Sequence, residues 1–126
     1  MDPRRHDVRL LLAALILACA FGAAAAEKKA RPKNALYGAI AYHAASGSAG
    51  WAADRRTSRE ARVEALKQCG RDECVVVATV SRDCAALAAS GQKHSVQKGA
   101  TRQEAETKAL AHCGAACSVA AWVCTR

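Results

Sequence analysis

Thr57-Ser58-Arg59-Glu60-Ala61, continued by Ala65-Leu66-Lys67-Gln68-Cys69-Gly70, is matched at a constant offset of 44 by Thr101-Arg102-Gln103-Glu104-Ala105, continued by Ala109-Leu110-Ala111-His112-Cys113-Gly114. The match has no gap, so the chain carries two copies of one unit. Each copy opens on Thr-x-x-Glu. In such a capping box the Thr hydroxyl accepts from the N–H three residues on, and the Glu carboxylate returns to the N–H of the cap itself. Each copy closes on Cys-Gly, where glycine can adopt the left-handed backbone that ends a helix. The spacing predicts helices over 58–69 and 102–113. Ala61, Ala65, Leu66 and Cys69 share one face of the first, as Ala105, Ala109, Leu110 and Cys113 do in the second. At helical spacing these make a stripe of mostly small side chains, suited to close approach to a sheet.

Strand signals flank each helix. Val75-Val76-Val77-Ala78-Thr79-Val80 and Val119-Ala120-Ala121-Trp122-Val123 follow, rich in β-branched residues. Before the first helix, Tyr37 to Tyr42 reads as a strand, Ala45-Ser46-Gly47-Ser48 as a turn, and Gly50 to Ala53 as the returning strand. The second hairpin is shorter and more polar: Ala86 to Ala89, a Ser90-Gly91-Gln92 turn, then His94-Ser95-Val96. Each unit is therefore β-β-α-β, and two of them make an α+β domain of about six strands and two helices over residues 36–126.

The N-terminus reads as an export signal. Arg4, Arg5 and Arg9 precede an uncharged apolar run from Leu10 to Ala20, and Ala24-Ala25-Ala26 supplies a small-residue cleavage site, so residues 1–26 are expected to be a signal peptide. Ile16-Leu17-Ala18-Cys19 also resembles a lipobox, which leaves lipoprotein anchoring through Cys19 as the alternative. Residues 27–35 form a basic leader around Lys28, Lys29, Arg31 and Lys33, too poor in apolar groups to fold. The expected location is the periplasm or outside the cell, with no transmembrane helix after cleavage.

Cysteine usage agrees with export. Beyond Cys19 there remain Cys69, Cys74, Cys84, Cys113, Cys117 and Cys124, an even set that an oxidising compartment converts to disulfides. They assist a thin core, because 32 of the 126 residues are Ala, which bury little surface each. Six cysteines allow 15 pairings. The repeat selects among them: equivalent positions make equivalent bonds, so Cys69 pairs with Cys74, Cys113 with Cys117, and Cys84 with Cys124. The last is expected to staple one repeat to the other. The rival is zinc held by the C-x4-C and C-x3-C pairs with His112, but those spacings miss the usual knuckle, and no metal or cofactor is expected.

Taken in order, Tyr37-Gly38-Ala39-Ile40-Ala41-Tyr42, Gly50-Trp51, the Ala-Leu-x-x-Cys-Gly helix end, Cys84-Ala85-Ala86-Leu87-Ala88, Gly99-Ala100-Thr101-x-x-Glu104-Ala105 and Ala121-Trp122-Val123-Cys124 resemble the bacterial domain-of-unknown-function family DUF4189 over about 37–124. The resemblance implies the fold and export, since members are typically small exported proteins with no general activity attached. One departure stands out. Where the family's second hairpin commonly repeats Gly-Trp, this chain has His94-Ser95.

Catalytic chemistry finds little footing. Glu60 and Glu104 are used as helix caps, the other acids are scattered among Lys and Arg, and no Gly-rich phosphate loop, HExxH or GxSxG occurs. His43 near Ser46 and Ser48 reads as decoration of a turn. Charge is the better lead. The chain carries net charge +8, and Arg55, Arg56, Arg59 and Arg62 crowd the first helix start, where the helix dipole is already positive. The second copy has Gly99, Ala100, Gln103 and Glu106 there, so the fold does not require the cluster. It reads either as an anion site or as a solvated face relieved by Glu60 and Glu64. The expectation is a non-catalytic binding module for a protein or an anionic envelope component, using Arg55, Arg56, Arg59, Arg62, Trp51, Tyr42 and His43. The alternative is a small envelope-directed hydrolase with a site assembled between the repeats. Nucleic acid is not an expected partner of an exported chain.

Overall fold

A computed structural model describes residues 34–126. The signal peptide over 1–26, Cys19 and all but the last two residues of the leader lie outside the described residues. The elements are β1 (Tyr37–His43), β2 (Ser48–Arg55), α1 (Ser58–Cys69), β3 (Val75–Val80), β4 (Cys84–Ala89), β5 (His94–Gly99), α2 (Arg102–Cys113) and β6 (Ser118–Cys124). The β-β-α-β unit occurs twice, as the repeat predicts. Each copy forms its own three-stranded sheet, ordered β2-β1-β3 and β5-β4-β6, with antiparallel neighbours throughout.

Side-chain alternation along the central strands builds the layers. On β1, Ile40 and Tyr42 face the other sheet and pack with Val80, Leu87 and Val123. Ala39 and Ala41 point the other way, under Ala61, Ala65 and Cys69 of α1. On β4, Leu87 enters the core between the sheets, while Ala86 and Ala88 lie under Ala105 and Ala109 of α2. The result is four layers: helix, sheet, sheet, helix. Ile40, Leu87 and Val123 are the largest fully buried side chains, each contributing about 1.5–3 kcal/mol by burial. Beneath the helices the contacts are small. A Cβ on Gly50 would overlap the Ala65 carbonyl oxygen and the Cys69 amide nitrogen, so α1 rests almost directly on the β2 backbone.

The helix ends refine the capping expectation. Thr57 Oγ1 accepts from the Glu60 amide at 3.0 Å, and Thr101 Oγ1 from the Glu104 amide at 3.1 Å. The returning bond differs: Glu60 accepts from the Arg56 amide and Glu104 from the Ala100 amide, one residue before each cap. With each Thr in an extended conformation, the preceding amide is the one within reach of the carboxylate. Gly70 closes α1 in the left-handed region at φ 76°, ψ 13°. Gly114 takes φ 109°, ψ 177° instead, a positive φ with extended ψ. The second connection is one residue shorter, since Cys113 and Cys117 are separated by 4 positions and Cys69 and Cys74 by 5.

Three disulfides join Cys69 to Cys74, Cys84 to Cys124 and Cys113 to Cys117. One expectation is corrected. The Cys84–Cys124 bridge spans β4 and β6, both strands of the second copy, so it closes that copy's sheet and does not staple the repeats together. Strand ends also run further than the apolar stretches indicate, β2 from Ser48 to Arg55 and β5 to Gly99, because ladder hydrogen bonds continue past the side chains that made the strands legible.

A candidate docking cleft between two tryptophans

β2 and β6 are the sheet edges that lie over one another; among the described residues β2 pairs only to β1 and β6 only to β4. Gly50 and Ala52 face α1, so Trp51 and Ala53 point toward the second sheet at its rim. Ala121 and Val123 of β6 point into the core, and Trp122 between them points outward. A cleft of about 420 Å³ results, lined by Trp51, Asp54, Ala120 and Trp122 among others. Trp51 is 50% and Trp122 38% exposed. Large aromatic surface left open in a concave, mainly apolar setting is the usual ground of a binding hot spot.

Neither tryptophan is required by the fold, as the repeat itself demonstrates. Trp51 stands opposite Ile40 and Val96 opposite Leu87, the matching central residue of the second copy. Trp122 stands opposite Ala86, and Thr79 opposite Ala39. The counterparts of the two tryptophans are therefore Val96 and Thr79. Both aromatic groups fall on one of the two equivalent sides of the sandwich. The same register corrects the reading of the second hairpin, where Ser95-Val96 holds the place of Gly50-Trp51 and His94-Ser95 does not.

One cation borders the cleft, and the arginine cluster begins just beyond it, with Arg56 lining a separate pocket beside Asn34, Ala35 and Leu36. Arg102, at the start of α2, lies over the Trp122 ring at 3.9 Å from its centroid and bonds Glu106 at 2.7 Å. Cation–π contact of this kind contributes about 0.5–1 kcal/mol at exposed sites. On the other wall Asp54 adopts φ 56° beside a register shift in the β1–β2 pairing, and Arg55 and Arg56 follow it. Arg55, Arg56, Arg59 and Arg62 are all exposed, and none forms an ion pair among the described residues. Glu60 and Glu64 do not relieve them: Glu60 accepts from the Arg56 amide and Glu64 from the Gln68 side-chain amide. The second helix is different, with Arg102–Glu106 and Lys108–Glu104 pairs along it. Lys108 donates to Glu104 at 2.7 Å and, together with the Ala100 amide, holds that carboxyl below its ordinary value.

The remaining candidate residues lie elsewhere. Tyr42 is 3% exposed, inside the core between the sheets, with its ring against His94 at 5.1 Å. It holds the two copies together and offers no surface to a partner. His43 pairs with Ser48 at the hairpin end of β1, while Arg55 pairs with Tyr37 at the opposite end, so the sheet separates His43 from the arginines. His43 Nδ1 bonds Ser46 Oγ at 2.5 Å, and His112 Nδ1 bonds the Lys108 carbonyl at 2.8 Å. Among the described residues no histidine bonds a carboxylate, and no group of three or more His, Cys, Asp or Glu is arranged to hold a metal ion. Trp122, Asp54 and Arg102 were not singled out by sequence reasoning. Trp122 comes near Asp54 through sheet-on-sheet packing and near Arg102 through the seating of α2 on its own sheet, relations that no local pattern encodes.

Comparison with curated proteins matches none. The solved NMR structure of Rv1813c from Mycobacterium tuberculosis is similar to this chain at 36% identity, over 75% of this chain and 78% of that one, with a TM-score of 0.59. The model of the domain of unknown function DUF4189 matches residues 37–124. Because that match runs from the first residue of β1 to the last of β6, the chain belongs to the DUF4189 family.

Proposed function

We propose that this chain is an exported, non-catalytic binding module of the bacterial envelope or secretome, and that its partner docks at the cleft between Trp51 and Trp122. The observation that carries the reading is the convergence of both tryptophans on one edge whose repeat counterpart has none. A positive partner would be repelled by a net-positive chain, and Arg55, next to Asp54 of the lining and without an ion pair among the described residues, favours an acidic one. Export is supported by the signal-like N-terminus and by three disulfides. Among the described residues no helix is long and apolar enough to cross a membrane. Immobilised wild-type domain and a Trp51→Ala/Trp122→Ala variant, offered the same envelope extract, test the reading. A protein retained by the first and lost from the second supports it; equal retention of every species by both refutes it.

A further inference from the structure

β6 ends its sheet. Among the described residues its free edge has no backbone partner. An open edge is a template for another strand, and proteins normally blunt it with lysine, proline or a bulge. β5, at the other end of the same sheet, follows that rule, with Lys93 just before it and His94 and Lys98 within it. β2 is interrupted by the left-handed Asp54. β6 is Ser-Val-Ala-Ala-Trp-Val-Cys, without charge or proline; its pairing with β4 is bulged at Ala120, which leaves Ala121–Cys124 as the regular stretch, and that stretch forms one wall of the tryptophan cleft. β3 is uncharged as well, but it has Thr79 where β6 has Trp122, and the pocket beside it sets Tyr37 among Asp83 and Lys98 instead of two tryptophans.

We infer that β6 accepts an extended acidic segment of a partner protein as an added strand, with one apolar side chain of that segment against Trp51 on the core-facing side and the next beside Trp122 on the α2-facing side. This rests on the binding reading above and specifies its geometry. Main-chain hydrogen bonds along Ala121–Cys124, beyond the bulge at Ala120, supply the register, and alternate side chains of the incoming strand turn into the cleft. One of its carboxylates then meets Arg102 over Trp122, and Arg55 follows Asp54 in the chain at the far end of the lining. Charge selects against the other occupant an edge strand invites, a second copy of this chain, which would set one net-positive chain against another. Asp54 is the one acidic group in the lining, and it disfavours a carboxylate at that point alone.

The test uses the full domain and three synthetic peptides of about ten residues. The first alternates Glu with Val and Leu. The second has the same side chains but N-methyl groups on alternate backbone nitrogens, and the third has Lys for every Glu. The first should bind at low salt and slow amide hydrogen exchange across Ala121–Cys124 while leaving Val75–Val80 unchanged. N-methylation should weaken binding about tenfold or more, since it removes the ladder hydrogen bonds and keeps charge and side chains. The Lys peptide should not bind. Equal affinity of parent and N-methylated peptides, or protection in β3 and none in β6, overturns strand addition. If that binding is nonetheless lost in Trp51→Ala/Trp122→Ala, the cleft reading survives without it. Failure of the acidic peptide to bind overturns the inference, as does a dimer in sedimentation that protects β6, which assigns the edge to a second copy.

Discussion

Cys84 and Cys124 stand directly opposite one another on β4 and β6, their Cα atoms 4.1 Å apart, and the bond between them lies within one sheet. Each of the three bridges is internal to a single repeat. What joins the two copies is the short Ser81–Asp83 connection and the core that Ile40, Tyr42 and Val80 form with Leu87 and Val123. The disulfides therefore stiffen each half, and docking of the halves rests on packing.

Opening the Cys84–Cys124 bridge should destabilise the domain more than opening Cys113–Cys117. The loops span 40 and 4 residues, and loop-closure entropy assigns them about 4 and about 2 kcal/mol. At roughly 4–8 °C per kcal/mol for a domain of this size, the melting temperature of Cys84→Ala/Cys124→Ala should fall about 10 °C further than that of Cys113→Ala/Cys117→Ala. Thermal unfolding followed by circular dichroism decides it. Equal shifts would set aside loop length as the governing quantity.

Gly50→Ala should be among the most damaging single-methyl changes available. The added Cβ meets the α1 backbone at Ala65 and Cys69, where no side chain can swing aside. Overpacking costs about 1–3 kcal/mol, and a clash with backbone belongs at the upper end. Gly91→Ala is the control, because nothing lies within 4 Å of its added Cβ, and it should stay within about 0.5 kcal/mol of wild type. Similar denaturant midpoints for the two variants would mean that α1 does not ride on β2 as closely as described.

Local chemistry made the helices legible. Thr57 and Thr101 start them and Gly70 and Gly114 end them, so both were bounded from the sequence alone. The disulfides were legible for a related reason, since two of them join positions a few residues apart in a repeated unit. Relations between the sheets were not legible. Tyr42 sits in the same alternating strand as Ile40, yet only the arrival of the second sheet buries it. The bridge from Cys84 crosses to a neighbouring strand of its own copy, which depends on β4 being central, a matter of strand order and not of spacing. Trp51 and Trp122 likewise line one cleft only because β2 lies over β6.

Replacing Arg55, Arg56 and Arg59 with Gln should weaken binding to polyglutamate at low salt while leaving the fold intact or slightly firmer. These cations lie at a helix N-terminus, where the dipole opposes them, and no carboxylate pairs with them among the described residues. Wild-type binding should itself fall as salt rises, since exposed charges are screened over about 8 Å at physiological ionic strength. A triple variant with wild-type affinity at low salt would make the cluster ordinary solvated surface.

Glu104 provides a pH-dependent test of the second helix. The Lys108 ammonium that bonds it, and then the Ala100 amide, hold its carboxyl below the ordinary value. Folding therefore favours the ionised form. The resulting stabilisation is fully present above the unfolded carboxyl value of about 4 and is lost as pH falls through the lower folded one. Glu104→Gln keeps an oxygen for the Ala100 amide but gives Lys108 no charge to meet, so its melting temperature should lie below wild type at pH 7. The gap should then close as the pH drops beneath the ordinary carboxylate range. Glu60→Gln, in the helix where no lysine bonds the capping carboxylate, should have the smaller effect at neutral pH. An offset for Glu104→Gln that stays constant from neutral to strongly acidic pH would assign its role to hydrogen bonding alone and remove the ion pair from the account.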